Sequence, residues 1–403
     1  MLELEELLRQ DNLIIQACHE YPFNSDIAFW GGMGEVVKNV SERLVNKGFE
    51  VLVLPRQVKE YTGNKIIYDE KNGVHVLAIP IKTYQAGNSN TDLYNILPTT
   101  QGTTALDHCF TTWRYLEKYG LEKGIIHAHD WLSCGWLREA KRKNIPKIFT
   151  VHLSTERNGK RATDPRLELE RLNGTYADII HYVSLHQMKS CQAYKWNHNK
   201  PQIIIPNGVD VNSFKPPQES PLEEYILYVG RLTPVKNVPN LIKAWKIFHD
   251  EYPDVKLKIL GASGTSNIDV QNTIMSLSPE ERTKVELRIE MVSLQERIKY
   301  LQNSTVCCFP SSVEAFGIVS IEAQACGKPV VVGRIGGFKE NALCGVTGVH
   351  IDGGKPQEIA EGLHLAYTNR NTWGRNARKM VEEFFSWDKI IEIYIKELYR
   401  KWT

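Results

Sequence analysis

The sequence lacks a charge of one sign to lean on. In 403 residues, 49 Lys and Arg stand against 47 Asp and Glu, a formal net charge of +2. No positive excess invites nucleic acid or an anionic membrane surface. Long apolar runs are also missing. No stretch of about 18 uncharged, apolar residues occurs, so no transmembrane helix is expected. The first ten residues, MLELEELLRQ, lack the basic start and apolar block of a secretory leader. Cys-x-x-Cys pairs are absent too. The eight cysteines (18, 109, 134, 191, 307, 308, 326 and 344) are scattered, and Cys307–Cys308 sit together in an apolar run. They read as buried free thiols of a cytoplasmic protein, with no metal site. Asp-x-Asp, a pair that could clamp a divalent cation on a diphosphate, occurs nowhere.

The remaining composition is that of an ordinary globular chain, 42% apolar and 24% charged. At about 150 residues per domain, the length suggests two or three domains. Short β-branched runs alternate with helical patterns. Residues 12–18, 51–54, 73–80, 125–127, 147–151, 178–183 and 202–205 read as strands. The span 34–47 reads as a helix with Val36, Val37, Val40, Leu44 and Val45 on one face, closed by Gly48. Residues 131–143 read as another. The pattern then restarts, with strands at 225–229, 256–260, 285–291, 305–309 and 329–332. Between the halves, 207–224 carries prolines at 216, 217 and 221 and reads as a linker. Alternation of this kind implies parallel strands joined by helical crossovers, an α/β fold of two doubly wound, Rossmann-like domains. The amphipathic stretch 387–402 offers Ile390, Ile391, Tyr394, Ile395 and Leu398 for packing.

Three segments carry candidate chemistry. Gly31-Gly32-Met33-Gly34 follows the first strand and opens the first helix, where free N–H groups and the helix dipole suit a phosphate. A nicotinamide site would want an acidic residue closing the second strand, which here ends Leu54-Pro55-Arg56. The turn therefore suits another diphosphate, or is simply a tight turn. Next, Arg231 and Lys236 lie five residues apart after the strand ending Val229-Gly230. Ligands of open α/β sheets bind at the carboxyl ends of strands. The two cations there either flank a diphosphate or decorate a solvated loop. Last, Glu314 and Glu322 stand eight residues apart around Phe316-Gly317. With a helix starting near Gly317, both carboxylates face roughly one side, one for a sugar and one for a ribose. Alone, they could equally begin an ordinary surface helix.

Together these segments resemble the family 4 glycosyltransferases of the GT-B fold. The resemblance extends through His127-Ala128-His129-Asp130-Trp131, Val151-His152, Pro206-Asn207-Gly208-Val209-Asp210, Cys326-Gly327-Lys328-Pro329-Val330, Gly336-Gly337 and Phe385-Ser386-Trp387-Asp388. The segments around 127–131 and 150–156 are most similar to the glycogen and starch synthase side of the family. The resemblance implies two Rossmann-like domains facing a central cleft: 1–209 on the acceptor side, 210–385 on the nucleotide-sugar side, and a terminal helix at 386–403 returning to the first. It implies a retaining hexosyl transfer from a nucleotide-diphosphate sugar, UDP first and ADP-glucose second, to the hydroxyl of a glucan or a smaller sugar-containing acceptor. No cofactor and no metal are implied. Arg231 and Lys236 match the pair that holds the diphosphate, and Glu322 the carboxylate on the ribose. Glu314 matches the residue at the donor sugar, with the backbone of Phe316, Gly317 and Ile318 beside it. His152 matches the histidine near the sugar's C6 hydroxyl, Gly32 the glycine whose N–H faces the phosphate, and Asp130 the acidic residue facing the cleft. Two other readings stay open: a different GT-B enzyme such as a sugar-nucleotide epimerase or a phosphorylase, and a silent nucleotide-sugar-binding subunit. The segments at 29–35 and 153–160 depart from the family's pattern on the acceptor side. Neither acceptor identity nor oligomeric state is legible.

Overall fold

The computed structural model describes residues 2–22, 32–57, 66–79, 100–133, 135–153, 165–193, 199–219 and 221–402. The chain divides into two compact units. The first is built on β1 (Leu13–Glu20), β2 (Glu50–Gln57), β3 (Ile67–Lys71), β4 (Val74–Ala78), β5 (Ile125–His129), β6 (Lys147–Val151), β7 (Ile179–Tyr182) and β8 (Gln202–Ile204). Their order in the sheet is β3-β4-β2-β1-β5-β6-β7-β8. All neighbours run parallel except the β3–β4 hairpin. Its two-residue turn, Asn72-Gly73, places both residues at positive φ, 55° and 76°. That is the geometry whose twist matches paired strands.

Every residue of β5, β6 and β7 is buried. Layers on both faces of a parallel sheet bury its strands on two sides, which favours continuous apolar runs over alternation. Ile15, Leu52, Leu54, Ile126, Phe149 and Ile180 form the centre of this core, with Trp113 and Trp136 from the flanking helices. The helix Gly32–Val45 buries Val36, Val37, Val40 and Leu44 of the face expected from the spacing, while Val45 is half-buried.

The second unit holds β9 (Tyr225–Arg231), β10 (Lys256–Ala262), β11 (Val285–Arg288), β12 (Val306–Phe309), β13 (Val330–Gly333) and β14 (Gly348–Ile351). The order is β11-β10-β9-β12-β13-β14, parallel throughout. Counted within the unit, this is 3-2-1-4-5-6, the doubly wound order whose reversal lies between the first and fourth strands. Here those are β9 and β12. The helix Val238–His249 buries Val238, Leu241, Ile242, Trp245 and Phe248 at helical spacing. Truncating the fully buried Trp245 would cost about 3–5 kcal/mol.

The boundaries differ from the expected ones by a few residues. The second unit begins at Pro206 and ends at Ile390, and Ile391 onward belongs to the first. Val209, expected to end the first domain, is pinned to the second. Its N–H donates to Phe385 O (2.8 Å), and the Trp387 N–H donates to Val209 O (3.1 Å). The segment after it is packed rather than free. Arg378 donates to the carbonyls of Val211 (3.0 Å), Phe214 (2.7 Å) and Ala325 (2.8 Å), and Phe214 is buried. Among the described residues, no helix is long and apolar enough to cross a membrane. Cys18, Cys109, Cys191, Cys307, Cys308 and Cys326 are buried free thiols; Cys344, against expectation, is exposed, and Cys134 lies outside the described residues.

Candidate active site

In the second unit, the loops leaving β9 and β12 meet at the reversal point of the strand order. Arg231 ends β9 and is exposed. A single 3-10 turn, Pro234–Lys236, follows. Asn237, at φ 54°, then starts the helix Val238–His249. Asn237 Nδ2 donates to Pro310 O (2.9 Å), and the Ser312 N–H donates to Val235 O (2.8 Å), so the two loops are stitched together. The stitch sets Lys236 against Glu314, with Nζ 2.7 Å from Oε2. Both side chains are mostly buried, at 21% and 17% exposure. An ion pair this sheltered holds both groups in one geometry. An incoming phosphate oxygen could replace the carboxylate as the ammonium's partner.

Glu314 is followed by a tight turn into the helix Ile318–Ala325. Gly317 occupies the position before the helix at φ 86°, and no side chain caps the first N–H groups. An uncapped N-terminus leaves backbone donors and positive dipole for an anion. Phe338 explains the glycine: a Cβ at 317 would lie 2.2 Å from its ring. Asn341 Nδ2 donates to Phe316 O and fixes the turn from beneath. Gly336, at φ 52°, lets the chain after β13 press on the same turn, where a Cβ would come within 1.7 Å of Glu314 O. Glu322 lies in the second turn of the helix. It is buried, with Oε1 3.2 Å from Arg297 Nη2. Arg297 itself lies over the Phe214 ring at 5.9 Å.

In the first unit, Gly32 is the exposed first residue of the helix after β1. The residues before it, 23–31, lie outside the described residues, Gly31 and Trp30 among them. Asp130 follows β5 in a left-handed conformation, φ 54°. Its Oδ1 accepts from the N–H groups of His152 (2.7 Å) and Leu153 (3.2 Å). This contact positions the loop that carries His152. His152 itself is buried, with Nε2 2.8 Å from His129 Nδ1. Burial, reinforced by His181, pushes its imidazole down to about 3, so it is neutral at physiological pH.

Arg231, Lys236, Glu314, Phe316, Gly317, Ile318 and Glu322 thus belong to the second unit, and Gly32, Asp130 and His152 to the first. Asn237, Arg297 and Asn341 were missed by the sequence reading. Asn237 follows Lys236 directly and was within reach as a helix-start residue; the others carry no local signal. Among the described residues, no three His, Cys, Asp or Glu side chains gather so as to hold a metal ion.

Known proteins match along most of the chain. A family model described as Glycosyltransferase Family 4 matches residues 30–213, and one described as Glycosyl transferases group 1 matches 211–380. A D-inositol 3-phosphate glycosyltransferase of Corynebacterium urealyticum is 24% identical over 396 residues, 88% of this chain and 91% of its own. Among solved structures, a sucrose-phosphate synthase of Thermosynechococcus elongatus superposes with a TM-score of 0.77 at 21% identity, covering 96% of this chain and 98% of that one. HepE of Anabaena, in complex with UDP and glucose, gives 0.71 at 17% identity, with 96% and 99% covered. The fold is GT-B, the activity is that of a glycosyltransferase, and the chain belongs to the family 4 glycosyltransferases.

Proposed function

We propose that the chain is a retaining hexosyltransferase that takes its sugar from a UDP-sugar, ADP-glucose being the alternative donor, and acts without a metal ion. The observation that carries this is the Lys236–Glu314 pair, held beside Arg231 and an uncapped helix N-terminus at the strand-order reversal of the second sheet. As the bond from the sugar's C1 to the diphosphate breaks, negative charge grows on the phosphate oxygen. Lys236, Arg231 and the N–H groups of Gly317 and Ile318 meet that charge. Each such donor is worth about 2.7–4 kcal/mol when aimed at developing charge. Lys236 turning to phosphate releases Glu314 to accept from a hydroxyl of the donor sugar. Glu322 takes the ribose hydroxyls, Gly32 offers its N–H to the phosphate, and His152 meets the hydroxyl on C6. Asp130 acts through the loop it holds.

The acceptor oxygen attacks from the face the diphosphate leaves. Its proton passes to the departing phosphate oxygen, so one C1–O bond forms as another breaks and the configuration is kept. The solved HepE complex with UDP and glucose supports the uridine donor. The D-inositol 3-phosphate glycosyltransferase relative supports a small polyol or sugar hydroxyl as acceptor. A thermal-shift panel of UDP-, ADP- and GDP-sugars tests the donor. At a hundredfold excess over Kd, binding adds about 2.7 kcal/mol of stability. UDP-sugars should raise Tm most; no shift with any of the three would refute the reading.

A further inference from the structure

A continuous file of hydrogen bonds crosses the first sheet, on side chains of which only His152 enters the steps above. From one end, His181 Nε2 lies 2.9 Å from Ile205 O, and His181 Nδ1 lies 2.8 Å from Thr150 Oγ1. Thr150 Oγ1 is 2.6 Å from His127 Nε2, and His127 Nδ1 is 2.6 Å from the Tyr399 hydroxyl. Gln16 Nε2 donates to that hydroxyl (3.3 Å), and Gln16 Oε1 is 2.7 Å from His129 Nε2. His129 Nδ1 then meets His152 Nε2 at 2.8 Å. Gln16, His127, Thr150, His181 and Tyr399 are 0% exposed. The period-2 spacing of 127 with 129, and of 150 with 152, puts these groups on one face of adjacent strands. The last turn of the chain lies on that face, with Tyr394 against His181 and Tyr399 against His127.

The direction of every bond follows from one end. A carbonyl only accepts, so His181 carries its proton on Nε2. A neutral imidazole has one donor and one acceptor nitrogen, so His181 Nδ1 accepts from the Thr150 hydroxyl. That hydroxyl, its proton used, accepts from His127 Nε2–H. His127 Nδ1 accepts from Tyr399 O–H, which in turn accepts from the Gln16 amide. Gln16 Oε1 accepts from His129 Nε2–H, and His129 Nδ1 accepts from His152 Nε2–H. Reversing the file sets a lone pair of His181 against the Ile205 carbonyl, in a place no water reaches. Burial keeps the imidazoles neutral, as the file requires: it pushes His181 down to about 4, and His127 and His129 well below their ordinary range. The far end is His152 Nδ1, which has no hydrogen-bond partner among the described residues.

We propose that Tyr399 is a positioning residue: with Gln16 it relays the direction set at Ile205 and fixes His152 as the Nε2–H tautomer, so that Nδ1 stands as an obligate acceptor for a substrate hydroxyl. This rests on the reading that His152 meets the donor sugar. A substrate group that can donate is then selected over one that can only accept.

The tautomers are read without substrate, by long-range 1H–15N correlation on protein labelled with 15N-histidine. His127, His129, His152 and His181 should each show a protonated Nε2 and a bare Nδ1. Tyr399→Phe removes the relay and Thr150→Val cuts it on the far side of His127. In either variant His152 should become a mixture of tautomers, and transfer should fall about two- to tenfold in kcat/KM. Using both variants guards against one failing to fold. His152 protonated on Nδ1 in the unaltered protein, or an unchanged His152 pattern in both variants, would overturn the proposal. On the substrate side, donors carrying hydrogen or fluorine in place of the C6 hydroxyl should be equally poor, because neither donates. A fluorinated donor restored to near-normal kcat/KM would overturn the acceptor role. Absence of any transfer by the unaltered enzyme would refute the donor reading and leave the spectroscopic result to stand by itself.

Discussion

Replacing Gly336 with alanine should damage catalysis far more than folding, and Gly345→Ala supplies the matched control. Both glycines sit in the left-handed region, at φ 52° and 77°. Alanine in that region costs about 1–2 kcal/mol at either site. The surroundings differ. A Cβ at 345 meets nothing within 4 Å, whereas a Cβ at 336 would stand 1.7 Å from Glu314 O. Since real Cβ atoms essentially never approach closer than 3.0 Å, the Glu314 backbone has to retreat by about 1.3 Å. That displacement carries away the carboxylate now 2.7 Å from Lys236 Nζ. Misplacing a catalytic group by about 1 Å can cost about 10²-fold. Gly336→Ala should therefore lose about 10²-fold in kcat while Gly345→Ala stays within about twofold. Both should lose a few degrees in Tm, at about 2–4 °C per kcal/mol for a unit of this size. Steady-state transfer kinetics and calorimetry on the two variants decide it. Equal losses of kcat, or an unimpaired Gly336→Ala enzyme, would refute the placement of Glu314 at the reacting sugar.

Three further outcomes follow from the same geometry. Lys236→Ala should depress kcat about 10²–10³-fold, more than it weakens donor binding, because the charge it meets grows as the bond breaks; Lys236→Arg should rescue only part, and a near-normal kcat on steady-state assay would remove the diphosphate role. Arg378→Ala strands three carbonyls that the guanidinium now joins, and should cost about 2–4 kcal/mol by denaturant unfolding of the second unit; a loss under about 0.5 kcal/mol would contradict it. Acid should weaken the first unit: imidazoles held down to about 3 at His152 and about 4 at His181 stay neutral in the fold while the unfolded chain takes up protons below its ordinary value of 6.5. Stability present above that value is lost as pH falls from about 6.5 toward 4, at about 1.4 kcal/mol per pH unit for each such group; burial holds His19, His108, His127 and His129 down as well, so calorimetry in buffers of different ionisation heat should record about five to six protons taken up on unfolding near pH 5.5.

Much of the architecture was legible because parallel strands buried on both faces write themselves as short apolar runs. The strands around Ile126, Phe149, Ile180, Leu227, Cys307 and Val331 all lie where those runs predict. The hairpin strand β3 was missed because IYDEK is polar and half-exposed at the sheet edge. Its Asn72-Gly73 turn was nonetheless a readable signal. β14 was missed for its brevity and its glycine start. The linker reading at 207–224 came from proline content, which marks irregular backbone but says nothing of packing; Arg378, over 160 residues away, decides that. At the candidate site, local motifs exposed Arg231, Lys236, Glu314 and Glu322. Arg297, which pairs with Glu322, and Asn341, which holds the turn after Glu314, were invisible because they reach the site only through tertiary contact.

The reaction proposed for this chain is a metal-independent, configuration-retaining transfer from a UDP-sugar. A 1H NMR time course on EDTA-treated protein, with UDP-glucose and a panel of small polyol and sugar acceptors, tests it most directly. Acceptor-dependent release of UDP is expected, with a product whose anomeric coupling keeps the donor's α configuration. An inverted product, or activity regained more than tenfold only on adding Mn²⁺ or Mg²⁺, would contradict it.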